Sequence, residues 1–104
     1  MFVRVGTFRL RAGTLDQFRQ RYYSHCAPLV TAASGSVDGM VLEPVDGQAP
    51  VAVCTVWQTE ADAVAYEASG AAADVVSHVR EFFLGPPELR SERRLVPGTV
   101  RAGF

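Results

Sequence analysis

The segment Val51-Ala-Val-Cys-Thr-Val-Trp-Gln58 has no polar face, and this constrains the fold more than any other feature of the chain. In a strand, successive side chains point to opposite sides. Val51, Val53, Thr55 and Trp57 therefore share one side, and Ala52, Cys54, Val56 and Gln58 the other. Two further strands repeat the pattern: Val3, Val5 and Thr7 against Phe2, Phe8 and Leu10, and Val37 and Val41 against Met40 and Leu42. An antiparallel sheet wet on one side alternates apolar with polar residues, and these strands do not. Helices can roof only one side of such a sheet. Leaving the other in water would expose more apolar surface than the roughly few hundred Å² usual for monomers. A second copy, sheet against sheet in a two-fold homodimer, is the expected cover.

The elements around these strands follow from local signals. Phe2 to Leu10 reads as a first strand, and Ala12-Gly13 as a turn. Thr14 and Gln17 have the spacing of a capping box. Behind them Leu15, Phe18, Tyr22, Cys26 and Leu29 recur at helical steps, with His25 at the border of that stripe. Pro28 removes a backbone donor and predicts a kink or an end to the regular helix. Val37–Val45 and Val51–Gln58 read as a hairpin around Asp46-Gly47, the prolines at 44 and 50 implying a longer loop. Thr59 with Asp62 predicts the cap of a second helix, with Ala61, Val64, Ala65 and Ala68 as its inner stripe. After Gly70, a helix is expected over 71–84, stopped by Gly85-Pro86-Pro87. Leu89–Val96 reads as a more polar last strand, and residues 97–104 as a tail. The order βαββα(α)β, joined by right-handed crossovers, predicts an α+β, ferredoxin-like domain over residues 1–96. It has a four-stranded antiparallel sheet with helices on one face.

At 104 residues, one domain is expected. A content of 48% hydrophobic and 20% charged residues fits a soluble globular class. No apolar run is long enough to span a bilayer, and the N-terminus lacks a signal-peptide layout, so a cytoplasmic location without membrane attachment is the expectation. A net charge of −1 gives no reason to expect nucleic acid. Cys26 and Cys54 are expected to be buried thiols. All ten basic residues are arginine, which excludes Schiff-base chemistry and a lysine-bearing phosphate loop. The chain also contains no asparagine.

The strand–Ala-Gly-Thr–helix opening, together with VCTVWQTEADAVAYEAS and FFLGPPELRSERRLV, resembles the antibiotic biosynthesis monooxygenase (ABM) family of dimeric α/β-barrel proteins. That resemblance implies sheets packed face to face in a homodimer and a cavity between sheet and helices in each subunit. It also implies a cofactor-independent monooxygenase acting on an aromatic polyphenol, quinol or anthrone-like small molecule. Haem-degrading members pair their tryptophan with an asparagine on the first strand and a histidine in the following helix. Here those places fall near Gly6 and near Tyr66 and Glu67, so that triad cannot be assembled and haem degradation is not expected. Two other readings stay open: a small-molecule binding module without catalysis, and an isomerase or decarboxylase-like member of the superfamily.

Candidate site residues follow. By resemblance, Trp57 is the wall of the cavity; the plainer role is a core filler. Tyr22, facing inward, and Tyr66 are candidate substrate contacts, or a core aromatic and a rim tyrosine respectively. Oxygenation of a phenol without a cofactor requires removal of its proton, and His25 is the candidate catalytic base, with His78 second; the commoner role of each is a satisfied or half-exposed helix histidine. No metal-ligand spacing is present: His25 and Cys26 are adjacent on a helix, so their side chains diverge. Arg90, Arg93 and Arg94 with Glu88 and Glu92 read as a solvated strand face or a dimer rim.

Overall fold

A computed structural model describes residues 1–46 and 49–96, so Gly47 of the hairpin signal and the tail at 97–104 lie outside the described residues. The chain runs β1 (Phe2–Phe8), α1 (Leu15–Arg21), a π-turn (Tyr22–Cys26), α2 (Ala27–Ala32), β2 (Ser36–Leu42), β3 (Val51–Trp57), α3 (Glu60–Ala68), α4 (Ala71–Ser77), a 3-10 turn (Arg80–Phe82) and β4 (Leu89–Arg94). The four strands form one sheet in the order β2-β3-β1-β4, with every neighbouring pair antiparallel. This is the ferredoxin-like α+β arrangement.

The register separates the two sides of the sheet. Phe2 faces Trp57, Gly6 faces Val53 and Phe8 faces Val51, all on the helix side. Val3 faces Val56, Val5 faces Cys54 and Thr7 faces Ala52 on the opposite side, where Met40 and Leu42 of β2 join Cys54 and Ala52. Phe18, Tyr22, Cys26 and Val30 from the first helical stretch meet Val51, Val75, Val79, Phe82 and Phe83 in the core on the helix side.

The first helix departs from regularity just ahead of Pro28. The backbone N–H of Ala27 donates to the carbonyl of Tyr22, five residues back, which defines the π-turn. A proline ring at 28 crowds the carbonyl four residues earlier and offers it no donor; widening the turn relieves both. The widened turn contains one extra residue, so the inward face advances by one position. Leu29, expected on that face, is 43% exposed, and Val30 is buried instead.

Three local expectations are corrected. Thr14 does not cap α1, because its hydroxyl donates to the Arg11 carbonyl and stabilises the preceding turn. The inner stripe of α3 is not Ala61, Val64, Ala65 and Ala68; Ala63 is fully buried, Tyr66 half-buried, and Val64 exposed. The helix expected over 71–84 ends at Ser77, and a 3-10 turn follows. Adjacent Phe82 and Phe83 are both buried, which one regular helix face cannot do. The chain opens out there, and Phe83 bridges Leu10 while its ring stacks on Phe8 at 4.3 Å. Thr59 does cap α3, accepting from the Asp62 amide.

Candidate active site

A cavity of about 440 Å³ lies between the helix side of the sheet and the helices. This volume lies within the range of small-molecule sites, roughly 300–1,000 Å³. Gly6, Val53 and Thr55 form its floor on β1 and β3, and Tyr22, Tyr66 and Val75 line it from the helices. The glycine matters because its missing side chain leaves floor space: a Cβ there would stand 3.2 Å from the Phe8 ring.

Tyr22 opens the π-turn and is 2% exposed, yet its hydroxyl has no hydrogen-bond partner among the described residues. Burial pushes its pKa up to about 12, and burial likewise raises Tyr66 to about 12. Both phenols therefore keep their protons at neutral pH. Trp57 is 1% exposed and does not line the cavity. Its indole N–H donates to the Thr55 hydroxyl at 3.0 Å, and its ring packs 4.8 Å from that of Tyr66. It backs two lining residues from behind.

The histidines are elsewhere. His25 is exposed on the π-turn, its ring 5.6 Å from that of His78, and neither lines the cavity. Cys26 is buried, its thiol donating to the Val75 carbonyl at 3.4 Å, and burial pushes its pKa up to about 11.

The charged part of the lining was not legible from motifs. Arg4 lies in the apolar row of β1 with only 15% of its side chain exposed, its guanidinium bonding Glu67 at 2.9 Å and Glu92 at 3.1 Å. Arg90 on β4 reaches the same Glu67 oxygen at 2.6 Å. Arg80, beyond α4, completes the charged set on the lining. A charge within the alternating set Phe2, Arg4, Gly6, Phe8 was the one available sign. Among the described residues no three His, Cys, Asp or Glu side chains cluster as a metal site.

The sequence profile of the family described as Antibiotic biosynthesis monooxygenase matches residues 1–80. The chain belongs to this family. ABM structures from other organisms share its fold. A protein from Bordetella bronchiseptica that carries the antibiotic biosynthesis monooxygenase name superposes with a TM-score of 0.78 at 16% identity, over 92% of this chain and 97% of that one. One of that name from Chloroflexus aurantiacus gives 0.71 at 14% identity, over 95% and 96%. The haem-degrader MhuD from Mycobacterium tuberculosis, with two haems bound in its active site, gives 0.70 at 22% identity, over 96% and 100%. No curated protein matches the sequence. As an ABM-family domain the chain is described up to residue 96, and no described helix is long and apolar enough to cross a membrane.

Proposed function

We propose that the cavity takes a flat, oxygen-bearing aromatic molecule of the polyphenol, quinol or anthrone type, and that this ABM-family chain oxygenates it with O₂ and no cofactor. The observation that carries the reading is Tyr22, which lines a largely apolar cavity and whose buried hydroxyl has no partner among the described residues. A buried donor without a partner is costly, by about 1–3 kcal/mol, and a substrate oxygen would satisfy it. The substrate supplies the electrons. Loss of a proton gives an electron-rich anion that passes electrons to O₂. One oxygen atom becomes a carbonyl on the ring carbon, and the other leaves as water with the two hydrogens removed.

Arginines beside the substrate favour its anionic form and lower its pKa. Glu67, the carboxylate on the lining, is the group that would take up the proton, although Arg4 and Arg90 already pair with it. His25 has no part in this step, because its ring lies outside the lining. Among the described residues no histidine lines the cavity to ligate a haem iron, and Gly6 on the first strand and Tyr66 and Glu67 in the following helix lie near the places where haem-degrading relatives use asparagine and histidine, so no step is assigned to haem.

The functional unit is a homodimer closed by the sheet face that lacks helices. Cys54 and Val56 there stand apart from the main core, Val3, Val5 and Met40 are partly exposed, and Leu42 is 53% exposed.

Oxygen-electrode measurements with anthrone and naphthalene-1,4-diol test the reaction. One O₂ consumed per molecule, above the rate without protein, is expected. Binding with no oxygen uptake would replace oxygenation by the ligand-binding module, a reading favoured by the absence, among the described residues, of an unpaired base on the lining. Turnover without oxygen would replace it by an isomerase or decarboxylase-like activity.

A further inference from the structure

The cavity's charges do not cancel, although the chain as a whole is slightly acidic, at −1. Three arginines line it against one glutamate. Arg4 and Arg90 are accounted for: Glu67 bonds both, and Glu92 takes the other arm of Arg4. Two cations thus meet two carboxylates, and the local balance is zero. Arg80 is left over. Its guanidinium has no hydrogen-bond or ion-pair partner among the described residues.

Arg80 also stands at a junction. It lines both the main cavity and a second recess of about 530 Å³, and Phe8, Val76 and Pro87 are common to the two. The recess adds Phe83, whose ring stacks on Phe8, and a second cation, Arg11, whose Nε is taken up by the Glu81 carbonyl at 3.1 Å. A guanidinium offers two parallel N–H donors, a geometry that matches a carboxylate. Arg80 is exposed where the two meet, so such a pair would be open to screening by salt.

We infer that Arg80 is a substrate-selecting residue: the aromatic ligand of this cavity carries a carboxylate, which pairs with the Arg80 guanidinium where the cavity meets the recess. This rests on the reading that the cavity takes a flat aromatic molecule, and it adds the ligand's charge. A neutral ring would leave the cation as it is found here, and a dication would add to it.

Calorimetric binding of 3-hydroxy-2-naphthoate and of 2-naphthol, which differ by the carboxylate, tests the inference. The wild-type protein should bind the naphthoate at least about tenfold tighter at low ionic strength, with the ratio shrinking as salt is added. Arg80→Gln should bring the ratio close to one, weakening the naphthoate far more than 2-naphthol, with the thermal midpoint unchanged. Arg80→Lys should keep part of the preference, and Arg94→Gln, outside the cavity, all of it. Equal affinities in the wild type, or a preference that survives Arg80→Gln, would overturn the assignment while leaving the cavity as an aromatic site. Failure of both compounds to bind would overturn the assignment and the aromatic site together.

Discussion

The ring of Trp57 lies 4.8 Å from that of Tyr66, and its indole N–H is tied to Thr55, so one buried side chain fixes two surfaces of the cavity. Trp57→Phe keeps an aromatic body and deletes the donor. It should lower folding stability by about 1–2 kcal/mol and weaken binding of aromatic ligands, as measured by denaturant melting and calorimetry on the same sample. Unchanged values for both would show that Trp57 does not support the site. Trp57→Ala should cost about 3–5 kcal/mol.

Tyr22→Phe separates folding from binding. Its hydroxyl is buried without a partner among the described residues, so its removal should leave stability unchanged or raise the melting temperature, by several degrees if about 1 kcal/mol is recovered. Ligand affinity should fall, because the donor awaiting the substrate oxygen is gone. A lower melting temperature would mean that the hydroxyl is already satisfied in the free protein.

The sequence revealed the sheet and its two apolar sides because β-branched residues at a period of two leave few other options. Tyr22 was legible from the helical period of its apolar stripe, and Trp57 and Tyr66 from the family resemblance. Three features were not. α3 is so rich in alanine that its faces look alike, and only the size of Tyr66, which packs on Trp57, selects the buried one. His25 bordered the apolar stripe of a regular helix, but the chain there is not regular. Arg4, Glu67, Arg80 and Arg90 come from four separate segments, and no local spacing announces a cluster that the sheet order assembles.

Alkaline pH should unfold the protein through its buried phenols. Tyr22 and Tyr66 are raised from 10.0 to about 12 by burial, so the folded state keeps protons that the unfolded state releases. Their contribution to stability is complete below pH 10, falls between pH 10 and about 12, and is then lost. The tyrosinate absorbance of these two residues should therefore appear together with the loss of near-ultraviolet circular dichroism. Ionisation of both well before unfolding would contradict their burial.

Gly35 adopts a φ of +80°, and a Cβ there would collide with the Asp62 side chain. Asp62 accepts from the Thr59 hydroxyl at 2.9 Å, within the cap of α3. Gly35→Ala should therefore combine a left-handed alanine, about 1–2 kcal/mol, with a disturbed cap, about 1 kcal/mol. Equilibrium unfolding measures the sum. A loss below about 0.5 kcal/mol would show that the turn relaxes freely.

Val3→Glu places a charge in the middle of the sheet face that no helix covers. Sedimentation should find the wild-type protein as a dimer at micromolar concentration and the variant as a folded monomer. A wild-type monomer under those conditions would remove the sheet-to-sheet pairing.

The widened turn at Tyr22–Cys26 bears on how this chain is compared with its kin. Beyond it, every inward position falls one place later than in an unbroken helix, so Val30 stands where a relative without the turn would align Leu29. Matching the two requires a one-residue gap inside a helix, where alignments resist gaps. Within this chain the same displacement turns Leu29 outward and brings the smaller Val30 onto the cavity lining, so the irregular turn sets how much room remains there.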